Sequence, residues 1–288
     1  MELLIYLILF LLVLIVSSTT NKLLPFLPLP LVQILLGIVI GLFLPNTDFH
    51  LNTELFLALV IGPLLFRESE EADITAILKH WRIIVYLIFP VIFISTLSLG
   101  GLAHLLWLSL PLVACLAVGA ALGPTDLVAF ASLSERFSFP KRVSNILKGE
   151  GLLNDASGLV AFQVALTAWT TGAFSLGQAS SSLIFSILGG FLVGFLTAMT
   201  NRFLHTFLLS VRATDIASEL LLELSLPLVT FFLAEEVHVS GIIAVVVAGI
   251  LKASRFKKIT LLEAQVDTVT ETVWHTVNFM LNGSVFVI

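Results

Sequence analysis

The sequence predicts an all-α polytopic membrane protein of about ten transmembrane helices, one of them broken at Gly123-Pro124-Thr125-Asp126. Three observations carry this. Of the 288 residues, 58% are hydrophobic and only 11% charged, with a mean hydropathy of +1.09. A soluble domain carries about 25% charged residues. The apolar residues come in runs of roughly helix-spanning length, not in the alternation that a barrel strand needs. Basic residues fall only in every second connection between those runs.

The apolar segments are 3–18, 27–45, 53–66, 82–103, 109–133, 149–171, 182–201, 216–234, 238–251 and 271–288. The first is short for a span and borrows Ser17 and Ser18. Its start, Met1-Glu2, lacks the basic n-region of a signal peptide, and no small-residue cleavage site follows, so it reads as a retained helix. Lys22 follows segment one. Arg67, Lys79 and Arg82 follow segment three, and Arg136, Lys141, Arg142 and Lys148 follow segment five. Arg202 and Arg212 follow segment seven, and Lys252, Arg255, Lys257 and Lys258 follow segment nine. These are all 14 Lys and Arg of the chain. Basic residues of short loops stay on the cytoplasmic side. The odd connections therefore face in and the N-terminus faces out, in an inner or plasma membrane.

The net charge of −5 and the lack of a basic patch exclude nucleic acid as a partner. Cys115 is the single cysteine, so no internal disulfide forms. The chain stops at Phe286-Val287-Ile288 inside an apolar run, where a helix end would leave carbonyls unpaired. The expectation is a single transmembrane domain over 1–288, truncated at its C-terminal side.

An ionisable side chain inside a span marks a candidate site. Those here are Asp126, Glu150, Asp155, Glu219 and Glu223. Pro124 has no N–H, so the carbonyl of Ala120 loses its helical partner, and Gly119 and Gly123 weaken the helix further. Two half-helices follow, with free carbonyls ending near Leu122 and free N–H groups starting near Asp126, capped by Asp126 or Thr125. The alternative is a simple kink with a satisfied cap. Gly151, Asp155 and Gly158 share one helix face, and the glycines let another backbone approach the carboxylate. The broken segment is the natural partner; the alternative is a structural acid bonded to a hydroxyl. Glu150 and Asn154 share a neighbouring face. Glu219 and Glu223 face a cytoplasmic funnel or a basic loop; the alternative is a solvated face at the interface. Asn278, Asn282 and Gly283 read as interhelical contacts, Gly190 and Gly194 as a packing pair, and the six histidines as structural.

A desolvated Asp155 beside Asp126, Thr125, Asn154 and freed carbonyls forms an oxygen site. It takes a monovalent cation when ionised, or a proton instead. Alternating exposure turns that competition into cation/proton exchange. One carboxylate exchanging one Na⁺ for one H⁺ moves no net charge.

At these residues the sequence resembles the monovalent cation:proton antiporters, in particular the bacterial Na⁺/H⁺ exchangers of the electroneutral branch that includes the eukaryotic sodium/proton exchangers. Gly123-Pro124-Thr125-Asp126-Leu127-Val128-Ala129 resembles the family's Thr-Asp-Pro-Val-Ala signature in its unwound helix. Gly149-Glu150-Gly151-Leu152-Leu153-Asn154-Asp155 resembles its Glu-Ser-Leu-Leu-Asn-Asp signature. Glu235, Val239-Ser240-Gly241-Ile242-Ile243-Ala244 and Ala248-Gly249 resemble its later Ala-Glu, Ser-Gly-Ile and Ala-Gly pattern, and Phe279-Met280-Leu281-Asn282-Gly283 its tenth helix.

The resemblance implies that Asp155 binds the ion and the proton. It implies that Asp126 and Thr125 shape the cation site, that Asn154 supports it, and that Glu150 is a structural acid pairing with an arginine on a later helix. An Asn-Asp pair implies electroneutral exchange of Na⁺, Li⁺ or K⁺ for H⁺ with no cofactor, by a homodimer when full length. Gly151 stands where the family has a Ser ligand, and Leu127 where it has Pro. The implied fold is an incomplete inverted-repeat bundle, since the second broken helix is not in these residues. Two other readings stand beside it. One is an intramembrane aspartyl hydrolase using Asp126 and Asp155, whose Tyr-Asp and Gly-x-Gly-Asp signatures are absent. The other is a truncated scaffold that transports nothing.

Overall fold

A computed structural model describes residues 2–24, 26–43, 52–125, 139–171, 176–211, 215–253 and 261–287. Within them every apolar segment of the sequence is helical, and no strand is present. The helices are α1 (Glu2–Leu23), α2 (Leu29–Phe43), α3 (Thr53–Phe56), α4 (Gly62–Glu71), α5 (Ile74–Leu106), α6 (Leu112–Leu122), α7 (Lys141–Thr171), α8 (Leu176–Ser210), α9 (Ile216–Glu236), α10 (Gly241–Ala253) and α11 (Leu261–Val287).

Local chemistry sets several boundaries. Asn52 caps α3 by accepting from the Leu55 N–H at 3.1 Å. A π-helical turn, Leu57–Ile61, joins α3 to α4, with the Gly62 N–H reaching back to the Leu57 carbonyl. Pro63 follows and has no N–H to continue a regular ladder, so the wide turn absorbs the fault. Asp215 and Ser218 form a reciprocal capping box at the start of α9. Between α9 and α10 the Glu235 carboxylate accepts from the Gly241 N–H at 3.3 Å, and His238 takes a positive φ of 55° to make the turn.

Most helices outrun their apolar segments, because backbone hydrogen bonding continues once a helix has left the hydrocarbon. α7 starts at Lys141, so Lys141, Arg142 and Lys148 are helical and not loop residues. Arg67 and Lys252 likewise belong to α4 and α10. Among the described residues, three stretches are long and apolar enough to cross a membrane: Lys79–Leu106, Ile184–Ser210 and Ile216–Glu236. Four more, Ile8–Leu23, Leu29–Leu42, Leu112–Leu122 and Gly241–Ala253, are apolar but shorter.

The helices pack in three groups. α5, α6 and α7 form one, α1, α2 and α11 another, and α4, α8, α9 and α10 the third. α7 touches α4 and α8 only lightly. Gly190 and Gly194 let α8 lie directly on the backbone of Ser240, just before α10, and of Ala244 within it, as their spacing predicts. The main core joins Leu65 and Phe66 of α4, Leu226 and Phe231 of α9, Val245 and Ala248 of α10 and Trp274 of α11. Trp274 is 1% exposed and stacks on Phe66 with ring centroids 6.1 Å apart. Trp274→Ala is expected to destabilise the fold by about 3–5 kcal/mol. Exposed Val285→Ala in the same helix should stay within about 0.5 kcal/mol. Thermal unfolding of the detergent-solubilised protein measures both.

Candidate functional site

The site grows from an interruption of the backbone. α6 ends at Leu122, where the sequence places the end of the first half-helix. Gly123 keeps helical angles (φ −75°, ψ −35°), and Pro124 then stops the ladder. The three residues that leave α6, Gly123, Pro124 and Thr125, are each held from outside it.

α7 holds two of them. Gly158 faces the Pro124 ring so closely that a Cβ there would collide with it; the same Cβ would stand 3.5 Å from the Ala120 carbonyl oxygen. That carbonyl is the one Pro124 deprives of a donor. Thr125 donates its hydroxyl to Glu150 Oε2 at 3.0 Å. Asn154 Nδ2 donates to Glu150 Oε1 at 2.9 Å and to Thr125 Oγ1 at 3.3 Å. Thr125, Glu150 and Asn154 thus close a three-membered ring across two helices. Glu150 is 4% exposed and Asn154 fully buried.

The ring fixes the amide orientation, because only its nitrogen can serve a carboxylate. Asn154 Oδ1 is then turned away from Glu150. It is buried and has no hydrogen-bond partner among the described residues. Ser157 supports the turn by donating to the Asn154 backbone carbonyl at 3.1 Å.

Of the residues singled out in the sequence, Thr125, Asn154, Glu150, Gly123, Pro124 and Gly158 come together at the break, and Gly151 is buried in the same turn of α7 as Glu150. Asp155 follows Asn154 in α7; its side chain, and Asp126 altogether, lie outside the described residues. No ion pair to Glu150 is found among the described residues.

Glu219 and Glu223 belong elsewhere. Glu219 is buried against His205 of α8, with 3.1 Å between them, so the solvated-face alternative does not hold. Glu223 is ion-paired with Lys252 and accepts from Trp274 Nε1 at 3.3 Å. Lys252 also pairs with Glu70 at 3.0 Å, and Arg67 with Glu70 and Glu71 at 3.0 and 2.7 Å. Arg67 stacks over Trp274, and Lys252 over Phe66. This knot of α4, α9, α10 and α11 is absent from the sequence reading, which took Arg67 and Lys252 as loop charges. The available signal was Arg67 three and four residues ahead of Glu70 and Glu71, a helical spacing for ion pairs.

With this geometry in hand, the chain can be set beside known proteins. Residues 7–288 match the family described as "Sodium/hydrogen exchanger, transmembrane". The "Sodium, potassium, lithium and rubidium/H(+) antiporter" of Bacillus subtilis (strain 168) is 38% identical over 273 residues, covering 95% of this chain and 41% of the relative. The protein of the same name from Bacillus pumilus (strain SAFR-032) is 39% identical over 282 residues, covering 98% and 42%. The chain therefore spans about two fifths of the length of these relatives. The sodium proton antiporter MjNhaP1 from Methanocaldococcus jannaschii shares the fold, with a TM-score of 0.73 at 21% identity over 100% of this chain and 70% of that one.

The ring makes a direct prediction. Asn154→Ala leaves Glu150 buried with one donor fewer, and the loss should be about 1–3 kcal/mol. A lowered unfolding temperature of the purified variant reports it; an unchanged one contradicts the ring.

Proposed function

Because the chain belongs to the sodium/hydrogen exchanger family, a family of transporters and not of enzymes, we propose that it forms the cation- and proton-handling part of a secondary antiporter. It exchanges Na⁺, or Li⁺ or K⁺, for H⁺ by competition at Asp155. The carrying observation is the hydrogen-bonded ring of Thr125, Glu150 and Asn154, which ties the Asn154-Asp155 pair of α7 to the interruption after α6.

In this reading the ionised Asp155 holds the cation together with Asp126 and Thr125, and a proton displaces it. Asn154 carries no charge and is engaged with Glu150 and Thr125. One titrating carboxylate then exchanges one monovalent cation for one proton, and no net charge moves. Glu150, Gly123, Pro124, Gly151 and Gly158 shape the site without taking the cargo. Residues 1–288 act as one transmembrane transporter domain in an inner or plasma membrane, with the N-terminus outside, and the full-length protein is a homodimer. The basic residues gathered at alternate ends of the apolar segments support that orientation.

Full-length Asp155→Asn is expected to abolish cation-dependent proton flux in everted vesicles; flux at the wild-type rate would remove Asp155 from the mechanism. Wild-type exchange in proteoliposomes should be indifferent to an imposed membrane potential, and an accompanying current would contradict the one-for-one exchange.

A further inference from the structure

The cytoplasmic end of α5 carries charge that the packing of the helices does not use. Lys79 and Arg82 are exposed, and no acid stands within ion-pair distance of either among the described residues. Arg67 and Lys252, by contrast, are paired with Glu70, Glu71 and Glu223. The Arg82 guanidinium leans instead on the Trp81 ring, 5.7 Å from its centroid, an uncharged support that leaves the positive charge uncompensated. Past Arg82, α5 has no Asp, Glu, Lys or Arg up to its end at Leu106.

At helical spacing Lys79, Arg82, Tyr86, Phe93 and Leu97 share one face of α5. Tyr86 is 78% exposed, Phe93 65% and Leu97 47%. The face runs from cations through a phenol to hydrocarbon, the order of a phospholipid from headgroup to tail. Its depth agrees. Ser95 of α5 lies level with Gly123 at the break. With the break at the bilayer midplane, where transporter sites lie, the helical rise puts Tyr86 about 14 Å below it, Arg82 about 20 Å and Lys79 about 24 Å. The hydrocarbon of one leaflet ends at about 15 Å and its headgroups at about 20–22 Å. α7 supplies a contrast. Gly149 packs against Ile77 and Ile84 of α5. Exposed Lys141 and Arg142, at the start of α7, therefore lie about 30 Å or more from the midplane, in the cytosol beyond the headgroups.

We propose that this face of α5 binds an anionic phospholipid of the inner leaflet, with Lys79 and Arg82 on the headgroup phosphate and Tyr86, Phe93 and Leu97 along an acyl chain. A zwitterionic lipid offers the same tail but brings a third cation to the two already there, so the selection is by charge. The depth scale rests on the exchange reading above; the charge and exposure of the face do not.

The test uses the full-length protein in phosphatidylcholine bilayers that hold a trace of phosphatidylglycerol with a photoreactive diazirine in its acyl chain. Label on the peptide containing residues 86–97 is quantified by mass spectrometry and divided by the label from phosphatidylcholine carrying the same group. Wild type is expected to give a ratio of about ten or more, and Lys79→Gln and Arg82→Gln are each expected to lower it about fivefold. Lys141→Gln removes the same charge outside the face and should leave the ratio within about twofold of wild type. Unchanged phosphatidylcholine label checks that each variant is folded. A wild-type ratio near one overturns the site. So does a Lys141→Gln effect as large as that of Arg82→Gln, because the basic end as a whole then attracts the lipid. Label from neither lipid also overturns it, because another part of the protein then covers the face. The readout is lipid contact and not transport. Protein that exchanges no cation but keeps the ratio therefore refutes the exchange reading and supports the lipid site.

Discussion

A backbone that stops being a helix at membrane depth must find partners for the groups it frees, because hydrocarbon supplies none. Everything near 123–125 answers that demand. Pro124 removes a donor from Ala120, and the chain leaves α6 within reach of α7. The proline ring seats on Gly158, Thr125 satisfies Glu150, and Asn154 closes the ring. A simple proline kink would need none of these contacts from another helix. The interruption is therefore an element of tertiary structure, held by α7 and not by its own sequence alone.

The architecture was legible because the hydrophobic effect and backbone satisfaction act on long runs. Segments such as 182–201 and 216–234 appear as α8 and α9 with little surprise beyond their extra turns. The break was legible for a local reason, as Pro124 removes a donor beside the helix-weakening Gly119 and Gly123, whereas Pro90 and Pro227 sit inside unbroken helices. Gly158 was marked by its spacing from Gly151, and it meets the proline of the broken segment. The ring itself was only half visible. Glu150 and Asn154 are one turn apart in sequence, but nothing local says that both reach Thr125, twenty-five or more residues away.

Two clusters of buried polarity use different physics. The ring beside the break holds one carboxylate with neutral donors and keeps a carbonyl oxygen of Asn154 in reserve. The knot of Arg67, Glu70, Glu223 and Lys252 pairs opposite charges directly and covers them with Phe66 and Trp274. Arg67, Glu70 and Lys252 each have two partners, so losing one partner leaves each of these three still paired. The first arrangement leaves one oxygen without a hydrogen-bond partner among the described residues; the second is a fastening, charge against charge.

The fastening also sets an order of assembly. Arg67 finds Glu70 and Glu71 within its own helix as soon as α4 exists, so that segment can enter the bilayer with its charge already offset. Glu223 and Lys252 are made much later, and Trp274, which lids the cluster, later still. A chain emerging from the ribosome therefore carries α4 as an unfinished surface until α11 has been synthesised. The earlier helices can insert one by one, but the charged cluster is covered only when Trp274 arrives, a long-range step that local helix formation cannot hasten.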